Sequence, residues 1–599
     1  MTSTEVPLAL SREQVRRMFT APVGVHPGAD KVQPLEQALR THVRPGMALH
    51  FAYSEGRPMA IGHALVRCFS GSRPGFTISS AGLVGCQAAL VTQGLVKRLL
   101  VSFVGENYPT PSPNRVFQEA IDRGETEIEN QSLLVLYQRL AAGAYGLPFA
   151  LTRSWSGSSL ERNPSYARVA DPFGGEEVGA VRALVPDITF VHGLAADLEG
   201  NILLSPPFGE GEIGAFAASK GVIATVERIV PSEVIQRHAT LARIPSHRVL
   251  SVSEAPLGCH PYAIYNPGGI DVPDYVEDYE AFMEIRRACQ STEALQGWAR
   301  EWILGVDDHE GYLRKLGANR IQSLRGRATP EAWLDDLMPE LERLAAAKGY
   351  DPTEAMVVAA ADVLERKVRD DGLTVVEAGV GYANLAAWLA VSRLRIDAGI
   401  PAELVAEIGI YGYLPKPGEP FIFSNRNLST CKSMSGVESI LGLYVGGRHN
   451  RCVAIIGAGQ IDPEGNINST YGNDGRFLVG SGGANDIASA ASDVVAVTQQ
   501  SRHRLVESLP YVTSPGARLS TLVTDLGVYE KRDARLVLTY YHAVDGLDAQ
   551  GCIEKIRGRC GWPLQVADDV KPSRTPCEAE LLRLRLFDPR NEFLPRRST

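Results

Sequence analysis

Asp197-Leu-Glu-Gly-Asn201-Ile202 reappears later in the chain as Asp462-Pro-Glu-Gly-Asn466-Ile467. Each copy follows an apolar run, Ile188-Thr-Phe-Val-His192 before the first and Cys452-Val-Ala-Ile-Ile456 before the second. Downstream, Ala217-Ala-Ser219 leads into Val222-Ile-Ala-Thr-Val226, and Ala490-Ala-Ser492 leads into Val494-Val-Ala-Val497. Upstream, Gly46-Met-Ala-Leu-His-Phe51, a polar turn and Met59-Ala-Ile correspond to Gly372-Leu-Thr-Val-Val376, a glycine turn and Leu385-Ala-Ala387. The matches keep the same order in both halves, which reads as a duplicated unit.

The period of the apolar residues sets the class of that unit. Short β-branched runs (Leu99 to Val104, Leu373 to Val376, Leu522 to Asp525, Leu536 to Tyr540) alternate with helical patterns such as Ser132 to Ala144 and Asn384 to Leu394. Strand, glycine turn and helix in succession predict parallel sheets with crossover helices. The fold class is therefore α/β, with two homologous open α/β domains in tandem. The stretch from Glu277 to Lys367 has helical spacing and closes the first half. A boundary near Ala347-Lys-Gly-Tyr-Asp-Pro352 divides the chain into units 1–350 and 351–599.

Composition excludes several classes. The 599 residues are 44% hydrophobic and 22% charged, the profile of a globular chain, and the net charge of −9 gives no global footprint for nucleic acid. The Arg-rich C-terminus, Pro589-Arg590 to Arg596-Arg597, reads as a solvated tail. No apolar run is long enough to span a membrane, and the first nineteen residues show no basic-then-apolar leader. The nine cysteines are scattered, with no C-x-x-C pair, which argues for reduced thiols in a cytoplasmic protein and against a zinc site. The histidines show no metal spacing, and no metal is expected.

Chemistry is concentrated in the second half. Glu407, in Leu404-Val-Ala-Glu407-Ile-Gly409-Ile-Tyr-Gly412, directly follows a strand-like run and precedes two glycines, so it sits at a strand's C-terminal end, where open α/β sheets bind ligands and where a solvated acid is also common. The first half has no matching acid-glycine turn. Gly480-Ser-Gly482-Gly483-Ala-Asn-Asp486-Ile-Ala488 can form a nest of backbone N–H donors at a helix start, able to hold an anion or a developing oxyanion, or can serve as a tight turn chosen for packing. Glu377-Ala-Gly379-Val-Gly381-Tyr-Ala-Asn384 resembles a dinucleotide fingerprint but has Asn where the third glycine belongs, and no ribose-binding acid follows. Trp155-Ser-Gly-Ser-Ser159 reads as a polar loop. Arg57, Lys97, Arg98, Arg426, Lys432, Arg448 and Arg451 are the cations available for an acidic ligand.

Together these motifs resemble a family I coenzyme A transferase of the glutaconate CoA-transferase type, with α-like and β-like subunits fused in one chain. The α-like features are Gly46 to Met59, Tyr137 to Phe149, Asp187 to Asn201 and Ala215 to Val230. The β-like ones are Glu377 to Ala390, Glu407-Ile-Gly409, Gly480 to Ala488 and Leu522 to Tyr529. The resemblance implies the open α/β fold shared with phosphosugar isomerases, an active site between the halves, and covalent catalysis by a β-like glutamate that corresponds to Glu407. On that basis Gly482 and Gly483 are expected to form the oxyanion hole, and Gly379, Gly381 and Asn384 to contact CoA. The expected substrates are an acyl-CoA and a carboxylic acid, with no bound cofactor, and the expected assembly is a homodimer. A reference carboxylate is ionised at neutral pH and available as a nucleophile.

Ile408 stands where many relatives have a small polar residue, and with Ile410 and Tyr411 it points to a bulky acyl group. The alternatives are hydrolysis of an acyl-CoA or cyclic-diketone-CoA, for which Glu129 in Ile128-Glu-Asn-Gln-Ser-Leu133 is the nearest match to a working α-half glutamate, and non-catalytic acyl-CoA binding.

Overall fold

The computed structural model describes residues 10–19 and 29–595. Residues 1–9 and 20–28, and Arg596 and Arg597 of the C-terminal tail, lie outside them. Arg590 is not a freely solvated tail residue, because its guanidinium pairs with buried Glu419 at 2.7 Å.

In the first half, seven parallel strands form the body of one sheet: β1 (Ala48–Phe51), β2 (Phe76–Val84), β3 (Val96–Gly105), β4 (Glu127–Asn130), β5 (Ile188–Ala196), β6 (Gly221–Ile229) and β7 (Val249–Glu254). Their spatial order is β7-β6-β5-β1-β2-β3-β4. Helix α1 (Met59–Phe69) follows β1, and α2 (Leu133–Ala144) follows β4.

In the second half, β8 (Val375–Ala378), β9 (Glu403–Ala406), β11 (Cys452–Gly457), β12 (Asp493–Thr498) and β13 (Leu519–Thr524) run parallel in the order β9-β8-β11-β12-β13. That is the order β2-β1-β5-β6-β7 of the first half, so the duplication is one of topology as well as sequence. Strand β10 (Ile410–Tyr413) turns back antiparallel on β9. Continuous apolar runs suit these strands because parallel sheets are covered on both faces. The tandem α/β fold expected from the sequence is present.

The stretch expected to be helical, Glu277 to Lys367, contains helices and no strand. Its last helix, α3 (Pro352–Asp370), starts with Asp351 as N-cap and packs on α4 (Tyr382–Ser392) and on β12 and β13. One hydrophobic cluster runs through both halves, from Leu35 and Phe51 to Trp388, Leu404 and Leu594. None of the described helices is long and apolar enough to cross a membrane. The nine cysteines are unpaired thiols.

The repeated hexapeptide makes the same turn twice. Asp197 accepts the Asn201 backbone N–H and side-chain amide, each at 2.9 Å. Asp462 accepts the same two donors of Asn466 at the same distances. An aspartate that closes its own loop this way fixes the turn after the central strand of each sheet. We expect Asp197→Ala and Asp462→Ala each to lower stability by about 1–3 kcal/mol, read as a lower thermal midpoint. An unchanged midpoint in either variant would contradict this role.

Candidate active site

Glu407 directly follows β9, at the C-terminal edge of the second sheet. It borders a cavity of about 390 Å³ that Gly379, Gly381, Gly482 and Gly483 also line, together with Phe103, Thr110 and Pro111 from the first half. The site therefore lies between the halves. β2, the spatial equivalent of β9, ends at Val84 and is followed by Gly85-Cys86, so the carboxylate is present on one side only.

Gly483 faces Glu407 at contact distance. A Cβ on Gly483 would lie 2.1 Å from Glu407 Oε2, so any side chain there displaces the carboxylate. The backbone of Gly483 lies near enough to that carboxylate to favour its charged form. Gly482 does something else: its N–H donates to Ser102 O at 2.9 Å, and its carbonyl accepts from Leu133 N at 3.0 Å. The expectation that Gly482 and Gly483 both serve as oxyanion donors is thus corrected. Gly482 fastens the turn to the first half, and of the two glycines it is Gly483 that lies against the Glu407 carboxylate.

Asp486, on the following helix α5 (Ala484–Ala490), completes the fastening. Its carboxylate accepts the Ser132 hydroxyl at 2.6 Å and the Leu134 N–H at 2.9 Å, capping α2 from the other half of the chain. Trp155 joins the same junction: its indole N–H donates to Ser132 Oγ at 2.9 Å and its backbone N–H to Asn485 Oδ1 at 2.9 Å. The loop around Trp155 is thus a buried support of the site. No motif announced this, because the partners are far apart in sequence.

Burial pushes the Glu407 carboxyl up to about 7, with the nearby Asp486 charge adding to the rise and the Gly483 N–H opposing it. The sequence-based expectation of a fully ionised nucleophile at neutral pH is corrected accordingly: acid and carboxylate coexist there. Glu377 on β8 is buried as well and is pushed well above the usual carboxylate range by desolvation and by Glu407.

Gly379 and Gly381 line the cavity as candidate CoA contacts, although the Gly379 N–H is engaged by Ile455 O at 2.8 Å. Gly381 adopts φ +92° where α4 begins, a conformation that favours glycine. Asn384 is not at the cavity. It is fully buried on α4, and its amide donates to Pro420 O at 2.8 Å, so its expected CoA contact is withdrawn. Ile408 and Ile410 belong to the main hydrophobic core, and Tyr411 packs on Tyr444. None of the three lines the cavity, so they carry no preference for a bulky acyl group.

Among the flagged cations, Arg98, Arg426 and Lys432 pair with Glu129, Asp336 and Glu403. The cation that lines the cavity is Arg504, which the sequence reading missed; its Nη1 donates to Thr498 Oγ1 at 3.1 Å. Glu129 is held by Arg139 at 2.9 Å and by Ser165 at 3.0 Å, and it does not line the cavity. Burial raises its pKa, but Arg139 and the other partners outweigh that and the net shift is down.

His192, Glu227 and Cys259 lie close enough together to hold a cation. However, His192 Nδ1 is 2.9 Å from Thr225 Oγ1 and its Nε2 is 2.9 Å from Glu227 Oε1, while Glu227 also accepts the Tyr275 hydroxyl and the Leu257 N–H. These donors and acceptors are engaged with one another.

Because the Asp486 charge raises the Glu407 pKa, Asp486→Asn should move the Glu407 titration to lower pH, measured by carboxyl carbon-13 NMR. An unchanged or higher midpoint would contradict the coupling.

A family model described as Coenzyme A transferase matches residues 32–255. The first of the two subunits of 3-oxoadipate CoA-transferase from Pseudomonas knackmussii is 30% identical over 235 residues, covering 39% of this chain and 79% of the relative. The second subunit of that enzyme, from the same organism, is 29% identical over 263 residues, covering 40% of this chain and 94% of the relative. Homologues of the two subunits match the two halves. In fold, an acyl-CoA transferase from E. coli O157:H7, solved as a thioester complex with CoA, matches with a TM-score of 0.65 over 93% of this chain and 97% of that one, at 16% identity. The chain belongs to the coenzyme A transferase family, with the two separate subunits of its relatives joined in one polypeptide.

Proposed function

We propose that this protein is a CoA-transferase that moves CoA from an acyl-CoA to a carboxylic acid through covalent intermediates on Glu407. The observation that carries this reading is a glutamate at a strand's C-terminal end, bordering an inter-half cavity and facing the backbone of Gly483.

The Glu407 carboxylate attacks the thioester carbonyl, the C–S bond breaks, and CoA leaves as thiolate, giving an acyl-glutamyl anhydride. The thiolate then attacks the glutamyl carbonyl and expels the first acid, leaving a glutamyl-CoA thioester. The incoming carboxylate attacks that thioester, forming a new anhydride and releasing CoA thiolate again. The thiolate attacks the new acyl carbonyl and frees Glu407. The oxyanion of the second and third steps develops on the glutamyl oxygen itself. A donor already beside the resting carboxylate needs no rearrangement to stabilise it.

Hydrolysis is the weaker reading because Glu129, the residue it would draw on, is tied into ion pairs away from the cavity. The apolar walls and the single lining cation, Arg504, suit a pantetheine arm and a phosphate respectively.

With an acyl-CoA donor, new acyl-CoA should appear only when a second carboxylic acid is supplied, and Glu407→Ala should lower that rate by at least about 10³-fold. Because the reactive form is the carboxylate of a group with a pKa of about 7, kcat/KM should rise with pH up to about that value and level off above it. Release of free CoA at full rate without an acceptor would replace transfer by hydrolysis.

A further inference from the structure

Segments far apart in the chain meet on one buried carboxylate. Glu419, in the loop that follows β10, is 2% exposed. Its Oε1 lies 2.7 Å from the guanidinium of Arg590 in the C-terminal segment, and Arg327 of the helical stretch stands 3.7 Å from the same oxygen. Its Oε2 accepts the hydroxyl of Tyr108, a first-half residue that follows β3, at 3.2 Å. Burial pushes the Glu419 carboxyl up to about 7, with Arg590, Arg327 and Arg426 opposing the rise. Replacing a buried ion pair by well-packed apolar side chains often costs no stability, so what such a pair supplies is position.

Both loops that meet at Glu419 run on into the wall of the Glu407 cavity. Thr110 and Pro111, just beyond Tyr108, line it from the first half, and Phe423, just beyond Glu419, lines it from the second. Rings carry the contact between these points. Tyr108 meets Phe421 edge-on with centroids 6.0 Å apart, and Phe421 meets Phe423 at 5.7 Å. The Glu419 loop is also fixed on either side of the carboxylate, because Asn384 donates to Pro420 O at 2.8 Å and the Gly418 N–H to Leu586 O at 3.2 Å. The Gly483 turn has a separate set of fastenings, which run to Ser102, Ser132, Leu133 and Leu134.

We propose that Glu419, gripped by Arg590 and Tyr108, is a positioning residue for the reaction: it pins the Thr110-Pro111 wall of one half to the Phe423 wall of the other and so sets the spacing of the passage that receives acyl-CoA. This rests on the CoA-transfer reading. Because Glu407 and the Gly483 turn are held independently, the clamp acts on the capture of acyl-CoA and leaves the covalent steps in place.

The test is steady-state kinetics with acyl-CoA varied at a saturating acceptor acid, on Arg590→Met, Tyr108→Phe and the double variant. Each single change should raise KM for acyl-CoA about tenfold, the size expected when one bond to a charged group is lost, with kcat kept within about threefold. The double variant should exceed the larger single effect by less than about threefold, because both changes act through one carboxylate. Arg590→Lys should return KM to within about threefold of wild type, since one guanidinium nitrogen makes the contact. A folding defect alone would lower kcat through loss of active protein and leave KM unchanged. That pattern overturns the proposal, as does an unmoved KM in both single variants or effects that multiply in the double one. Calorimetric binding of CoA itself to wild type and Arg590→Met separates the clamp from the transfer reading. Binding weakened about tenfold in the variant supports the clamp even where transfer fails. Equal binding in both overturns the clamp alone, and no binding by the wild type overturns the clamp and the transfer reading together.

Discussion

The turn that faces Glu407 is held in place by the opposite half of the chain. Gly482 is fastened on both sides, by Ser102 O and by Leu133 N, and Gly480 bridges to Phe103 in antiparallel fashion. Asp486 then caps α2 across the junction. Backbone hydrogen bonds and a buried cap leave the turn little freedom, so the Gly483 backbone keeps its place relative to Glu407. Glu407 and Gly483 belong to the second half, but the turn that carries Gly483 is fastened by the first. The continuous hydrophobic cluster through both halves serves the same end, because docking the halves and building the site are one event.

The same contact sets the electrostatics. Asp486 is needed as a cap, and it brings a buried carboxylate close to Glu407. Burial raises Asp486 to about 6 in spite of its hydrogen bonds, and its charge helps raise Glu407 to about 7. A carboxylate destabilised in this way is less well solvated and more basic than a free one, which suits attack on a thioester carbonyl. The duplicated fold has diverged around this point. The C-terminal end of β9 carries the carboxylate, and the equivalent end of β2 carries Gly85-Cys86.

Much of this was legible in the sequence. The repeated Asp-x-Glu-Gly-Asn-Ile turn and the colinear strand runs pointed to the tandem fold, because each rests on local backbone chemistry. Glu407 and the glycine turn were only half legible: an acid after an apolar run also suits a solvated strand end and consecutive glycines also suit a tight packing turn, so it was the family resemblance that singled them out, and the structure then places both at one cavity. Residues whose role depends on docking were not legible. Gly482 and Gly483 are neighbours of the same type, and only the position of Ser102 and Leu133 distinguishes anchor from donor. Asn384 carried a plausible spacing, but the helix turns its amide toward Pro420. Arg504 looked like any other arginine, and what sets it apart is its place in a cavity wall.

The account stands on covalent attachment at Glu407, and mass spectrometry tests that most directly. The intact protein is incubated with a panel of acyl-CoAs that includes dicarboxylic monothioesters, then digested and mapped. A CoA-sized mass on the peptide containing Glu407, absent from Glu407→Ala, is the predicted result. An unmodified Glu407 peptide under conditions where acyl-CoA is consumed would contradict it.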